Sequence, residues 1–425
     1  METADRRADG LPEKMLALRL CGIGMENLRL EELPTPEPGP GQIVARVDAA
    51  MACASDNKVI DQGAEHPLMA GWDVSKYPII LGHEGSVTVA SVGERVDKKF
   101  EVGMRCGLQP AIPCGPRHFR ERYRENAEGI SKIAVGYTLP GVFAEYVLIT
   151  EEAIEEDCLI PLGESQAPSF GIALAEPLSC VVAAQQHSVH IVKDAPTARR
   201  RAEIGMKRGG VTVLLGAGPM GKMHVEMALG YRPRVVLVSD PIAQRREGIR
   251  QTFHGRAEKQ GTILRCVSPE QLPGELSRLT DGAGADDVIC AVGIAAVQEG
   301  SVSLLAKGGV TNLFGGTPIG KNMIQVDSRR IHYDSVSLVG SSGGDPSDIA
   351  EAVEAIAEGR IDPGNYVAKV GGLDAVVDLI QLVRNQEIEA KGVIYPQARA
   401  ALRDSGHWTA EKEETFLREH GRGTG

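Results

Sequence analysis

The sequence has few aromatic residues, no long apolar run, no excess of positive charge and no cluster of cysteines. No apolar run approaches the roughly 20 residues that a membrane-spanning helix needs, and the charged residues 1–10 contain no apolar segment typical of a secretory signal. The 46 Lys and Arg residues are outnumbered by 57 Asp and Glu residues, and the resulting net charge of −11 argues against general nucleic-acid binding. We therefore expect a cytoplasmic protein without a membrane or nucleic-acid partner.

The eight cysteines are scattered along the 425 residues, and in such a chain we expect them to be reduced thiols. Glycine, by contrast, is abundant, with 50 residues. This composition favours tight turns and close backbone approaches, as in α/β enzymes built from nucleotide-binding units. At roughly 150 residues per domain, the length predicts two to three domains.

The first part of the chain predicts an irregular β-rich domain. Residues 43–50 alternate between apolar and polar side chains, and similar strand signals at 85–91 and 143–149 are separated by Gly and Pro. The charged run from Arg117 to Glu128 is predicted to form a solvated or subunit-facing surface.

The character of the sequence changes in its second part. The apolar residues 174–190 predict a helix that leads into a second domain, and the basic stretch 199–208 predicts a solvated connector. From residue 211 onward, short apolar strand patterns alternate with helical patterns, which predicts βαβ units and a parallel sheet. The polar tail after Pro396 contains a further predicted helix at 409–419.

A glycine motif stands between a predicted strand and a predicted helix, in Val211-Thr-Val-Leu-Leu-Gly216-Ala-Gly218-Pro-Met-Gly221. In this context Gly216 allows a tight turn, Gly218 lets backbone approach a pyrophosphate, and Gly221 lets the helix pack on the strand. The helix N-terminus supplies N–H groups and a positive dipole end for the phosphates. The motif therefore predicts a dinucleotide-binding loop.

The next predicted strand ends at Asp240. A carboxylate at this position accepts both ribose hydroxyls of NAD and repels the 2′-phosphate of NADP, which favours NAD(H). Arg245 and Arg246 follow and are placed to flank the adenosine, so a relaxed preference stays open. The predicted coenzyme-binding residues are Gly216, Gly218, Pro219, Met220, Gly221, Asp240, Arg245 and Val292.

Three short motifs contain potential metal ligands: Cys53 in Ala-Cys-Ala-Ser-Asp, His83 and Glu84 in Gly-His-Glu-Gly, and Glu176 in Ala-Glu-Pro-Leu. Taken alone, each motif also fits an ordinary structural role: a buried thiol, a polar turn or the start of a helix. Together they offer one sulfur, one nitrogen and two oxygen donors, which suits a tetrahedral zinc site with an exchangeable position. Such a zinc would polarise an alcohol, and the resulting alkoxide would expel a hydride to a nicotinamide.

With these motifs the sequence resembles the zinc-dependent medium-chain dehydrogenases over nearly all of residues 15–395. The motifs stand in the family's order: the Cys-x-Ser-Asp turn, Gly-His-Glu, Gly-Val-Phe-Ala-Glu-Tyr at 141–146, Glu-Pro-Leu, and Gly-Ala-Gly-Pro-Met-Gly. The resemblance implies an α/β protein in which a GroES-like β-rich catalytic domain is split around a Rossmann domain with a doubly wound parallel sheet. We place the first catalytic part at 1–186, the Rossmann domain at 187–346, and the returning catalytic part with a C-terminal extension at 347–425.

The resemblance also implies a ligand set. Cys53, His83 and Glu176 would bind the zinc, and Glu84 would be the nearby carboxylate that can replace the metal-bound water. A Glu as the third ligand resembles the polyol and sugar dehydrogenase branch of the family. Family members usually form dimers or tetramers, so we expect a homo-oligomer.

Further family positions concern proton transfer. Ser55 matches the hydroxyl that takes the substrate proton, and Asp56 matches the acceptor that fixes the histidine ring. Many members have a histidine five residues after the ligand cysteine, where this chain has Lys58. A lysine relays a proton only if its pKa is lowered, so the last step of the relay departs from the family pattern.

The family's second, structural zinc is expected to be absent. Its ligands form a Cys-Gly-x-Cys-x-x-Cys-x7-Cys pattern, which Cys114 opens here. Arg117, Arg120 and Glu128 stand at the next three ligand positions. Because one thiolate cannot retain this zinc, we predict a single catalytic zinc and a lobe held by packing or by a neighbouring subunit.

A closer similarity is to the L-sorbose-1-phosphate reductase-like branch. It is carried by Leu174-Ala-Glu-Pro-Leu-Ser-Cys, His332-Tyr-Asp-Ser, Val339-Gly-Ser-Ser-Gly-Gly and Gly371-Gly-Leu-Asp-Ala-Val. That branch also lacks the structural cysteines and has a longer segment before Gly-His-Glu. Here that segment is 57–81, which we expect to shape the substrate pocket.

The leading hypothesis is a zinc-dependent NAD(H) oxidoreductase that interconverts a secondary alcohol and a ketone on a polyol, sugar or sugar phosphate. Two alternatives stay open. In the first, NAD is kept as a recycled prosthetic group for transient sugar oxidation with net lyase or isomerase chemistry, because the same groups would serve. In the second, the protein binds NAD without catalysing a reaction, which the intact ligand set disfavours.

Overall fold

The computed structural model describes residues 6–7, 11–318 and 320–421. The chain forms two compact units: unit 1 consists of Met1–Pro177 and Gly344–Gly425, and unit 2 consists of Leu178–Gly343. In sequence, unit 2 is therefore an insertion within unit 1.

The first part of unit 1 is built mainly from short strands, since Gly and Pro interrupt its apolar segments. The strands are β1 Arg6–Arg7, β2 Lys14–Leu20, β3 Leu28–Pro34, β4 Ile43–Met51, β5 Ile79–Ile80, β6 Glu84–Val92, β7 Arg105–Leu108, β8 Ala111–Ile112, β9 Ile133–Ala134, β10 Tyr146–Ile149 and β11 Leu159–Pro161. The helices are α1 Ala54–Gln62, α2 Glu151–Glu155 and α3 Ser169–Gln186, the last of which continues into unit 2. Short 3₁₀ turns lie at Met25–Asn27, Gly63–Glu65, Pro67–Met69, Arg120–Arg122 and Arg124–Ala127.

Unit 2 alternates strands and helices after an initial hairpin. Its strands are β12 Val189–Val192, β13 Arg201–Ile204, β14 Val211–Leu215, β15 Val235–Ser239, β16 Ile263–Val267, β17 Ala285–Cys290, β18 Leu305–Leu313 and β19 Ser337–Gly340. Its helices are α4 Pro219–Gly230, α5 Ala243–Lys259, α6 Leu272–Thr280, α7 Ala295–Ser301 and α8 Ser328–Asp334, with a 3₁₀ turn at Val302–Leu304.

The chain then returns to unit 1. This part contains α9 Pro346–Ala357, β20 Val367–Gly372, α10 Val376–Arg384, β21 Lys391–Tyr395, β22 Arg403–Asp404 and α11 Ala410–His420, with 3₁₀ turns at Pro363–Tyr366 and Leu373–Ala375. None of the described helices in either unit is long and apolar enough to cross a membrane.

The main sheet of unit 1 combines strands from both parts of its sequence. The strand order is β11-β7-β6-β4-β21-β20-β22, with β1 paired to β6 and β10 paired to β4. Strands β4 and β6 are antiparallel, with Met51 opposite Glu84, and Val393 of β21 also lies opposite Met51. This register places the end of β4, the start of β6 and strand β21 side by side at the candidate site.

The sheet of unit 2 is parallel throughout, in the order β16-β15-β14-β17-β18-β19. Every residue of β14 and of β15 is buried, as expected for strands that are covered on both faces. The order is that of a doubly wound nucleotide-binding sheet, so the fold class predicted from the sequence is confirmed.

The helix and the connector that the sequence predicted between the two domains differ from the structure. Helix α3 begins at Ser169 and ends at Gln186 rather than covering 174–190. The basic stretch contributes strand β13, which pairs with β12 in an antiparallel hairpin on which Ile191 and Ile204 are exposed. A strand that is exposed on both faces lacks the burial pattern that sequence periodicity detects.

The C-terminal extension is an ordered part of unit 1. Helix α11 lies at the position predicted from the sequence, and Phe416 on it is fully buried. The ring of Phe416 packs against the rings of Tyr395 and Trp408, with centroids 5.1 Å and 6.2 Å away. The segment after Pro396 therefore closes back onto the end of β21.

Candidate metal centre and coenzyme loop

The turn after β4 and the start of β6 bring three candidate ligands together. Cys53 precedes α1, His83 directly precedes β6, and Glu84 is the first residue of β6, which lies next to β4 in the sheet. A sulfur, a nitrogen and an oxygen donor atom of these residues all lie within 4.8 Å of one another. Among the described residues, these three form the group whose donor atoms are close enough together to bind one metal ion.

Asp56 fixes the geometry of two members of this group. One of its carboxylate oxygens accepts a hydrogen bond from the Cys53 backbone N–H at 2.8 Å, and the other lies 3.1 Å from His83 Nδ1. This contact leaves Nε2 as the ring nitrogen available to a metal. Although burial alone would lower the pKa of His83, the charges of Tyr137 and Asp56 raise it in the metal-free protein.

Ser55 lies beside the same cysteine. Its Oγ is 3.7 Å from Cys53 Sγ, and the residue is only partly buried. Lys58, one turn further along α1, is exposed. The structure thus places the predicted proton acceptor between the candidate metal centre and the surface.

Lys391 is a functional candidate that the sequence reasoning missed. Its Nζ lies 2.5 Å from Glu84 Oε1, and the two side chains are only 7% and 1% exposed. Burial alone would lower the pKa of Lys391, but the negative charges of Cys53 and Glu84 raise it. Burial raises the pKa of Glu84, and the positive charge of Lys391 opposes this increase. Lys391 is thus the cation that balances the buried carboxylate.

Glu176 belongs to the same charged cluster but lies outside the group of three. It is on α3, directly before Pro177, and it is partly buried. Burial and the charge of Cys53 raise the pKa of Glu176 to about 7, although the charges of His83 and Lys391 oppose the shift. Its carboxylate is close enough to these groups to interact electrostatically with all of them.

The chemistry of the donor set fits a zinc ion. Glu84 Oε2 is buried and has no hydrogen-bond partner in the described part of the chain. A buried carboxylate oxygen without a partner is unfavourable unless a cation or a proton reaches it. A thiol, an imidazole and this carboxylate are all ligand types that zinc prefers.

The lobe that begins at Cys114 is organised around a buried carboxylate. Glu152 is fully buried and accepts hydrogen bonds from the backbone N–H groups of Arg117 and His118 at 2.8 Å and 3.3 Å. Its two oxygens also lie 3.1 Å from His118 Nδ1, and Arg117 forms an ion pair with Glu155. Burial alone would raise the pKa of Glu152, but these hydrogen bonds hold it below its usual value.

The segment 57–81 contributes aromatic contacts near the candidate ligands. The ring of His66 packs on Tyr137, which packs on His83, with centroids 5.4 Å and 5.5 Å apart. Burial lowers the pKa of His66, with a further contribution from Lys58. Trp72 faces a separate apolar cavity of about 440 Å³, whose lining includes none of the candidate ligands.

The glycine motif of unit 2 has the backbone that the sequence predicted. Gly216 has φ 104°, and an added Cβ would lie 2.7 Å from Cγ1 of Val292, so a side chain is excluded here. A Cβ on Gly221 would lie 2.0 Å from the Gly216 carbonyl oxygen. Gly218 is the residue before α4, and an added Cβ there would have no heavy atom of the described residues within 4 Å apart from those of Gly218 and its two chain neighbours. Pro219 and Met220 form the first turn of that helix.

Asp240 lies at the end of β15 and is almost fully buried. One carboxylate oxygen accepts from Ala217 N and the other from Ile242 N, each at 2.8 Å. Arg245 Nη1 is 3.9 Å from the carboxylate, and Arg246 Nη1 donates to the Asp240 backbone carbonyl at 2.5 Å. Asp240 therefore holds the glycine loop against the strand end, and both arginines lie beside it.

Comparison with known proteins identifies the class. The family model described as alcohol dehydrogenase GroES-like domain matches residues 39–158, and the model described as zinc-binding dehydrogenase matches residues 219–358. The structure of 2R,3R-butanediol dehydrogenase from Bacillus subtilis superposes with a TM-score of 0.70 at 19% identity, covering 90% of this chain and 99% of that one. The two family models thus match segments of both units, and the fold is that of a zinc-binding dehydrogenase.

Sequence relatives are consistent with this class. An uncharacterised protein of Escherichia coli, YggP, is 31% identical over 84% of this chain and 81% of its own length. L-sorbose 1-phosphate reductase of Klebsiella pneumoniae is 28% identical over 94% and 97% of the two chains. Mannitol-1-phosphate 5-dehydrogenase of Aliivibrio fischeri is 29% identical over 89% and 85%. The chain belongs to the zinc-binding medium-chain dehydrogenase family, as the motif order predicted.

Proposed function

We propose that this protein is a zinc-dependent oxidoreductase that uses NAD(H) to interconvert a secondary alcohol and a ketone on a polyol or sugar, with a phosphorylated substrate favoured. The observation that carries the proposal is the Cys53, His83 and Glu84 group with its buried, unpartnered carboxylate oxygen. The relatives named for L-sorbose 1-phosphate and mannitol 1-phosphate support the substrate class.

In this proposal Cys53, His83 and Glu176 would hold one zinc, and Glu84 would be the nearby carboxylate. When bound, zinc supplies a Lewis acid that lowers the pKa of an alcohol, and the nicotinamide supplies the hydride acceptor. Asp56 keeps the histidine ring oriented so that Nε2 faces the ligand group. A resident structural zinc is not part of the proposal, because Arg117, Arg120 and Glu128 stand at three of its four family ligand positions.

The proton of the alcohol leaves through Ser55. Its hydroxyl lies beside Cys53 Sγ and is partly exposed, so it is able to accept a proton at the centre and pass it to solvent. Lys58 is exposed, and solvent rather than Lys58 is the proposed final acceptor.

Coenzyme binding is assigned to the loop of unit 2. The N–H groups at the start of α4 would bind the pyrophosphate, and Gly218 would leave room for its approach. Asp240 would favour NAD(H) at the adenosine ribose, with Arg245 beside it. The protein is further proposed to act in the cytoplasm as a homo-oligomer.

The test is a panel of polyols, aldoses, ketoses and their phosphates, incubated with the purified protein and either NAD or NADP. NADH absorbance and product mass are followed together, and zinc per chain is measured in the same preparation. We expect a ketone product, stoichiometric NADH and one zinc per chain. Product without net NADH would instead support the redox-neutral alternative with lyase or isomerase chemistry. The proposal would be refuted if the purified protein contained no zinc and remained inactive after zinc was added.

A further inference from the structure

Helix α3, which carries Glu176, begins without a local side-chain cap. The residue before it is Pro168, whose carbonyl accepts the first helical hydrogen bond, from Ile172 N at 3.0 Å. A proline side chain has no acceptor atom, so it is unable to satisfy the free N–H groups of the first turn. The start of this helix therefore depends on a group from elsewhere in unit 1.

Glu413 of the C-terminal extension supplies that group. Its Oε2 accepts a hydrogen bond from Ser169 N and its Oε1 from Phe170 N, both at 2.9 Å. The residue is only 5% exposed, so these bonds are shielded from water. A carboxylate at a helix N-terminus is also favoured by the helix dipole.

The helix that carries Glu413 also packs on the strand that carries Lys391. The ring of Phe416, on the same helix as Glu413, packs on the ring of Tyr395 at the end of β21, with centroids 5.1 Å apart. Trp408 Nε1 in turn donates to the Tyr395 oxygen at 2.8 Å. The extension thus joins α3 and β21, two elements that carry members of the charged cluster.

The position of Glu176 is sensitive to how the start of α3 is held. Pro177 lacks the N–H that would bond to the Ala173 carbonyl, which weakens the helix immediately after the candidate ligand. The helical segment between the cap and Glu176 spans about 10 Å. Its orientation therefore depends on the capped end as well as on the packing of buried residues such as Phe170 and Leu174.

We propose that Glu413 is a positioning residue for the metal centre, and that the C-terminal extension serves to hold the helix that presents Glu176. The inference rests on the proposed function, because it takes Glu176 as a metal ligand. It assigns a role to a segment whose sequence alone contains no catalytic motif.

The test compares Glu413→Ala with Asp345→Ala in the full-length protein. Asp345 caps α9 in the same way, accepting from Ser347 N and Asp348 N at 2.8 Å and 3.1 Å, but α9 carries no candidate ligand. Zinc retention is measured by chelator competition, and the ligand field is measured by visible absorption after cobalt substitution. We expect Glu413→Ala to weaken zinc retention about tenfold and to shift the cobalt spectrum. Asp345→Ala is expected to lower thermal stability and leave both metal readouts unchanged.

Glu413→Gln provides a second variant with the same shape, one acceptor oxygen and no charge. We expect its metal readouts to lie between those of the wild type and Glu413→Ala, and it keeps the test decisive if the alanine variant does not fold. Equal zinc retention and cobalt spectra in the wild type and both Glu413 variants would overturn the inference and leave the proposed function standing. Failure of the wild-type protein to bind zinc or cobalt would refute the proposed function, and the inference with it.

Discussion

Replacing Lys391 with methionine tests the charge balance at the candidate metal centre. The Lys391–Glu84 pair is buried, with 7% and 1% of the two side chains exposed and 2.5 Å between Nζ and Oε1. Methionine keeps most of the volume but removes the charge, which leaves the Glu84 carboxylate without its partner. Breaking a buried ion pair in this way costs about 3–5 kcal/mol, so the metal-free variant is expected to lose about that much stability.

The pH dependence of this loss has a definite sign. Burial already raises the pKa of Glu84 in the presence of Lys391, and removal of the cation raises it further. A carboxyl whose pKa is higher in the folded state loses stability as the pH rises from its unfolded value of 4.5 through the folded value. The difference between wild type and variant should therefore widen as the pH rises above 4.5, because protonated Glu84 no longer needs Lys391.

The assay is thermal unfolding of metal-free protein with and without added zinc. For a domain of roughly the size of unit 1, each kcal/mol shifts the transition by about 2–4 °C, so we expect a decrease of at least about 6 °C. Zinc should stabilise the variant more than the wild type, because the freed carboxylate gains a cation. Lys369→Met is the matched control, since its partner Asp404, at 2.8 Å, is 87% exposed, and an ion pair open to solvent is worth about 0–1 kcal/mol. If the two variants were equally stable without zinc, the electrostatic reasoning would be refuted.

Three further predictions concern other parts of the site. Cys53→Ser should lower zinc content from about one per chain to near zero and abolish turnover; a variant that keeps both would remove Cys53 from the ligand set. Glu152→Gln should destabilise the protein by about 1–3 kcal/mol at neutral pH. Because the pKa of Glu152 is lowered in the folded state, that difference in unfolding temperature should shrink as the pH falls below 4.5, and a pH-independent difference would contradict this. Asp240→Ala should lower the NAD-to-NADP preference in kcat/KM by tenfold or more and raise KM for NAD, since the loop loses its contact with Ala217 N; an unchanged ratio would show that the arginines set the preference.

The sequence supports the prediction of the fold because its signals are local. Buried parallel strands such as β14 and β15 are short apolar runs, and the glycine motif has a backbone requirement that only glycine meets at Gly216. The candidate metal ligands could be proposed because each stands in a short motif. Their assembly depends on pairing between β4 and β6, which brings Cys53 and Glu84 together through a turn and a register that no single motif contains.

The groups that the sequence reasoning missed act over long separations. Lys391 is 307 positions from Glu84, and Glu413 is 243 positions from Phe170. Glu152 binds the backbone of the Cys114 lobe from a helix 34 positions beyond His118. Each is a single charged residue in an unremarkable context, so periodicity and spacing give no signal for it.

Charge balance does give a signal for Lys391. With Cys53 as thiolate and Glu84 and Glu176 ionised, the candidate cluster has three negative charges, and a divalent zinc neutralises only two. Asp56 adds a fourth, but it is engaged by the Cys53 N–H and the His83 ring. Because buried charges are stable only when they are paired, the ligand set itself requires another cation at the site. This charge count is a signal that could have pointed to a buried Lys or Arg, and only the pairing of β21 with β4 identifies it as Lys391.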